Sequence, residues 1–126
     1  MLHNDSHKFE SRFLGVTVPT NRSVMLGSLS GSKLGIWVAH GEGKFSLPYD
    51  EDKYNVVAKY SYDEYPGNPN GSDYSIAGLA SADGRHLAMM PHLERAIFPW
   101  LNQVHRSWRN RRNKRSCLRL PVFHVR

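Results

Sequence analysis

Leu34-Gly35-Ile36-Trp37-Val38-Ala39-His40 is the stretch on which the reading of the fold turns. It is a short apolar run with branched and aromatic side chains, and Gly41-Glu42-Gly43 ends it in a turn. Such a run predicts a strand buried on both faces. Four further strand candidates lie on either side of it. Residues 13–18 are stopped by Pro19, residues 55–62 follow a polar loop, and residues 76–81 and 86–90 are two short pieces close together. Ala82-Asp83-Gly84-Arg85 joins the last two, and Asp-Gly is a hairpin signal because both central residues can take positive φ. Residues 21–32, 47–53 and the turn-former cluster 65–72 read as loops. A short helix is predicted after Pro91.

The pattern is strand-rich. A complete α/β domain alternates strands with long amphipathic helices, and residues 1–100 offer no such helix, which points to part of a larger domain. The chain has 126 residues, enough for one small domain, and its 40% hydrophobic content allows a lean core. No run approaches the ~18 apolar residues of a membrane span, so no membrane association is expected. Met1-Leu2-His3-Asn4-Asp5 lacks the basic start and apolar run of a secretory signal. The single cysteine, Cys117, excludes an internal disulfide. Together these features predict a cytoplasmic protein.

The net charge of +6 is unevenly placed. Residues 1–100 hold nine Lys/Arg against eleven Asp/Glu, whereas residues 101–126 hold eight Lys/Arg and no acid. The composition therefore divides the chain near Trp100.

Met89-Met90-Pro91-His92-Leu93-Glu94-Arg95 carries the chemistry. Pro91 disfavours the helical region for Met90, so the chain approaches His92 extended. Residues two apart in an extended segment share a face, which lets His92 and Glu94 project into one site. A carboxylate beside an imidazole fixes its tautomer and stabilises the imidazolium, and the imidazole can then deprotonate a nucleophile. His-x-Glu at a strand end is also common by chance. A metal site built from His86, His92 and Glu94 ranks lower, because no Cys or further His sits at a ligand spacing.

Several blocks carry a resemblance. Asn4-Asp5-Ser6 with Phe9-Glu10-Ser11-Arg12-Phe13 comes first. Val38-Ala39-His40-Gly41-Glu42-Gly43-Lys44 comes second. Tyr65-Pro66-Gly67-Asn68-Pro69-Asn70-Gly71-Ser72 is third, and Ile76-Ala77-Gly78, Asp83-Gly84-Arg85 and the 89–95 segment complete the series. In this order and spacing they resemble the end of the glutaminase domain of the phosphoribosylformylglycinamidine synthase family, over roughly residues 1–100.

The resemblance implies an α/β fold: an incomplete class I glutamine amidotransferase-like (flavodoxin-like) domain, strand-rich, followed by an irregular basic tail. It implies a triad glutaminase in which the general base falls on His92 and its orienting carboxylate on Glu94. The family's Cys nucleophile lies upstream of every block found here. Its enzymes hydrolyse glutamine and pass ammonia to a separate synthase domain, which uses ATP and Mg to convert formylglycinamide ribonucleotide to the amidine in purine synthesis. No cofactor is expected in this chain itself. The expected partners are glutamine, the synthase domain and the N-terminal part of the glutaminase.

Two departures stand out. Leu93 replaces the proline more usual in the family, with the His-x-Glu spacing kept. No cysteine lies in residues 1–100, and Met1 falls where the family has an internal residue. The chain is therefore expected to begin midway through the domain and to be inactive alone. Cys117 follows the histidine and lacks the small neighbours of a nucleophile elbow, so it reads as an incidental thiol. Gly41 and Gly43 read as turn glycines, with His40 and Glu42 as secondary candidates near the site. Asn68 and Asn70 read as turn residues that cap the backbone.

Residues 101–126 do not resemble the family. Arg106, Arg109, Arg111, Arg112, Lys114, Arg115 and Arg119 surround Trp108. A nucleic-acid-binding module using this tail is the alternative function. A truncated or frame-shifted end is preferred, because apolar residues are mixed in from Leu118 to Phe123.

Overall fold

The computed structural model describes residues 1–98 and 101. The basic tail, Cys117 and the compositional boundary at Trp100 lie outside the described residues. Five strands form one wholly antiparallel sheet in the order β2-β1-β3-β4-β5: β1 (Glu10–Thr17), β2 (Lys33–His40), β3 (Asn55–Tyr60), β4 (Ile76–Ala80) and β5 (Leu87–Met89). Each predicted strand is present, and the strand-rich reading holds. The helical pieces among the described residues are short 3₁₀ turns, and no helix there is long and apolar enough to cross a membrane. The helix expected after Pro91 is one of these turns, Leu93–Ala96.

β1 and β2 pair along their whole length, from Glu10 opposite His40 to Thr17 opposite Lys33. β1 meets β3 only at its far end, through Val16–Tyr60 and Thr17–Lys59. The core gathers where these strands cross: Val16, Ile36, Val38, Ala58, Tyr60 and Ala77 form one buried cluster, and Phe45, Val56 and Ile76 a second.

The expectation that β2 is buried on both faces is corrected. Ile36 and Val38 are buried, while Gly35 is exposed and Trp37 and Ala39 only half-buried. This is period-two burial: one face of β2 packs on the core and the other is left largely uncovered, as antiparallel sheets allow. The strand buried on both faces is β3, where Val56, Val57 and Ala58 are consecutive buried residues in the middle of the sheet.

The β4–β5 connection also departs from a two-residue hairpin. Only Gly84 takes positive φ, at 74°. The loop runs from Ser81 to His86, closed by Ser81 N–H to His86 O. Asp83 Oδ1 accepts from Arg85 N–H at 3.2 Å, which uses the aspartate as a local turn acceptor. A Cβ on Gly84 would stand 1.9 Å from the Arg22 carbonyl, so both conformation and space require glycine there.

After β5 the chain returns to the other end of the sheet order. His92 N–H donates to Trp37 O at 2.7 Å and forms an isolated antiparallel bridge to β2. This bridge places the 92–96 segment at the free edge of β2.

Candidate active site

His92 is extended (φ −107°, ψ 99°), and Leu93 opens the 3₁₀ turn. Its Nδ1 lies 2.5 Å from Glu94 Oε1. Strand alternation does not make this contact, as the spacing argument assumed. Glu94 sits inside the turn, and the turn brings its carboxylate back to the ring. The hydrogen bond to His92 is the main cause holding the Glu94 carboxyl below its ordinary range. Ionised, Glu94 can only accept, so Nδ1 carries a proton and, in the neutral ring, Nε2 is the nitrogen with the lone pair. The pair is open to solvent, with His92 side-chain exposure of 35% and Glu94 of 69%.

His40, the last residue of β2, faces this pair. The two imidazoles are stacked, with centroids 6.2 Å apart and planes 28° from parallel. Desolvation by burial, and then the neighbouring His92, lower the His40 pKa.

Beneath His40 lies a buried amide network. Asn4 Oδ1 accepts from Gly43 N–H at 3.1 Å, and Asn4 Nδ2 donates to the carbonyls of His40 and Lys8 at 2.8 and 3.0 Å. Asn70 Nδ2 lies 2.7 Å from Asn4 Oδ1 and 2.7 Å from His40 Nδ1. Tyr60 O–H donates to Asn70 Oδ1 at 3.0 Å. Both asparagines are fully buried.

Sequence reasoning missed this network. Asn68 does cap its own loop, accepting from Ser72 N–H and donating to Ser72 O. Asn70 instead reaches a residue 66 positions away. Gly43 likewise takes no positive φ. A Cβ there would stand 2.2 Å from Asn70 Nδ2 and 2.5 Å from His40 Nδ1, so close approach is what requires glycine. Asn4 and Asn70 each lie in one of the motif blocks, but nothing in the sequence pairs them.

Glu42 is exposed and lies 3.5 Å from the equally exposed His3, a contact worth little. His86 does not join His92 and Glu94, and no group of three or more metal-ligating side chains converges among the described residues. Two surface depressions flank the network. One is lined by His3, Phe9, Gly41 and Glu42, the other by Asp5, Tyr65, Asn68 and Gly71, and neither includes His92 or Glu94. Among the described residues His92 is part-exposed and Glu94 exposed.

The family model for the CobB/CobQ-like glutamine amidotransferase domain matches residues 1–120. The chain belongs to this glutamine amidotransferase family. It is similar to phosphoribosylformylglycinamidine synthases: 46% identical over 114 residues to that of Drosophila melanogaster and 40% over 110 residues to that of Homo sapiens. These matches cover 79% and 78% of this chain. The probable chloroplastic/mitochondrial synthase of Arabidopsis thaliana is 43% identical over 111 residues. The chain spans about 8% of the length of these relatives. Among solved structures it resembles PurLQS from Thermotoga maritima, with a TM-score of 0.67 and 33% identity. That match covers 80% of this chain and 44% of the other. The resemblance read from the motif blocks is thus the family the chain belongs with, and its strand-rich antiparallel sheet resembles part of a glutamine amidotransferase.

Proposed function

We propose that this chain is part of a class I, flavodoxin-like glutaminase domain of a phosphoribosylformylglycinamidine synthase, with His92 as general base and Glu94 as its orienter. Residues 1–100 form that part, and residues 101–126 a separate basic segment. The observation that carries the reading is the 2.5 Å contact between His92 Nδ1 and Glu94 Oε1. It leaves Nε2 as the one basic nitrogen of a ring whose imidazolium Glu94 would stabilise.

In this reading a cysteine thiol from another polypeptide segment attacks the carboxamide carbon of glutamine. His92 Nε2 takes the thiol proton and returns it to the leaving nitrogen, which departs as ammonia. Water then attacks the thioester, with His92 again as base, and releases glutamate. Ammonia passes to a synthase domain that uses ATP and Mg to form the amidine for purine synthesis, in the cytoplasm. No cysteine lies in residues 1–100, so the chain alone has a base without a nucleophile. The exposure of Glu94 and part-exposure of His92 among the described residues fit a site completed by a neighbouring segment.

The test is glutamate release from glutamine. The purified chain alone is expected to give none. Combined with the cysteine-bearing segment of a related glutaminase, it is expected to turn over, and His92→Asn to abolish that turnover. Sustained release by the chain alone, or full activity of the combined His92→Asn protein, would overturn the reading.

A further inference from the structure

The amide network beneath His40 has a direction. A backbone N–H can only donate and a carbonyl can only accept. Gly43 N–H therefore fixes Asn4 Oδ1, and the carbonyls of His40 and Lys8 fix Asn4 Nδ2. Asn70 must then turn its NH₂ toward Asn4, because the opposite orientation would set two oxygens 2.7 Å apart. The same NH₂ meets His40 Nδ1 at 2.7 Å, so Nδ1 presents a lone pair. The Tyr60 hydroxyl accepts or donates with equal ease, and it follows the polarity without setting it.

We propose that His40 is a positioning residue of the site, held neutral with its proton on Nε2 by the Asn4–Asn70 relay, so that His92 alone of the two stacked imidazoles takes up a proton. The proposal rests on the reading of His92 as the base. A second proton on His40 would sit at Nδ1 and face the Asn70 NH₂, donor against donor. Nε2 is itself buried without a hydrogen-bond partner among the described residues, so nothing there stabilises a cation. Among the described residues the charged groups around the ring are few. His92 approaches from the segment after β5 and opposes a second positive charge. Glu10, the cross-strand partner of His40 on β1, favours one, but its carboxylate is taken by Arg12. Glu42 is turned to His3, and Lys44 to Asp5. If both imidazoles charged together, two cations would stack, and His92 would lose proton affinity when the reaction needs it. A neutral His40 avoids that.

The experiment is long-range ¹H–¹⁵N NMR of the imidazole nitrogens in the full chain against pH, with His40→Asn and His92→Asn assigning the signals. His40 is expected as the Nε2–H tautomer, titrating below His92. Asn70→Asp puts an acceptor-only carboxylate opposite Nδ1. It is expected to move the ring proton to Nδ1, raise the His40 midpoint by about one pH unit or more, and lower that of His92. Asn70→Ser, whose hydroxyl serves either way, is the milder variant and is expected to raise His40 toward its ordinary value. An Nδ1–H tautomer in the unaltered chain, a shared midpoint for the two rings, or a His40 signal unmoved by a folded Asn70 variant would overturn the proposal. The unaltered chain decides the tautomer even if neither variant folds. None of these readouts involves turnover, so a failure of the glutaminase reading and a failure of this one are separately visible.

Discussion

The two ends of the candidate site are built in opposite ways. On one side His40, Asn70 and Asn4 are joined through buried, mutually satisfied hydrogen bonds anchored on backbone groups. On the other, part-exposed His92 and exposed Glu94 are joined to β2 by a backbone bridge to Trp37 and by the stacking of His92 on His40. The contrast teaches where stability and chemistry are separated. A buried polar network is costly to break, because each group left without a partner keeps its desolvation penalty. An exposed pair contributes little to folding and is free to be placed for reaction.

Substitutions sharpen that contrast, and the largest effect is expected at the buried end. Asn70→Ala leaves Tyr60 O–H and His40 Nδ1 without their partner and takes one of two donors from Asn4 Oδ1; it is expected to cost about 2–4 kcal/mol in urea unfolding. A loss as small as that of a surface change would show that water replaces the amide. Gly43→Ala comes next, at about 1–3 kcal/mol, since its Cβ must displace both Asn70 and His40. Glu94→Gln should change stability by less than about 0.5 kcal/mol. In the completed glutaminase the same change should lower kcat on the order of 10²-fold, because the imidazolium loses its counter-charge. If Glu94→Gln destabilises as much as Asn70→Ala, the separation of roles is wrong.

The smallest effects are in pH. The folded His40 pKa lies below its ordinary 6.5, so the unfolded chain binds that proton first. Its contribution is fully present above 6.5 and is lost as pH falls through the folded value. Glu94 is depressed below 4.5 and acts in the same direction at lower pH, with stability present above 4.5 and lost below it. Unfolding midpoints measured from pH 8 to 4 are therefore expected to decline first below 6.5. His40→Asn should remove that early step, and Glu94→Gln should leave it intact.

Much of the fold was legible locally. All five strands follow from apolar runs between turn formers, and their ends moved by no more than a few residues. The burial of β2 was misjudged because a run of apolar residues does not say whether a second strand will cover its far side. The His92–Glu94 contact was anticipated from spacing, though the chain achieves it through a 3₁₀ turn that extended alternation does not describe. Asn4 and Asn70 carried no comparable signal. A buried asparagine and a turn asparagine look alike in sequence, and only the partner distinguishes them.

Sequence alone determined the strands and the family, because these depend on side-chain type and short-range spacing. Only the tertiary structure decided that the segment after β5 returns to β2, that His40 stacks on His92, and that two distant asparagines share one buried hydrogen bond. Those outcomes depend on which strands lie side by side, and pairing between residues far apart in the chain is set by the packing of the whole sheet.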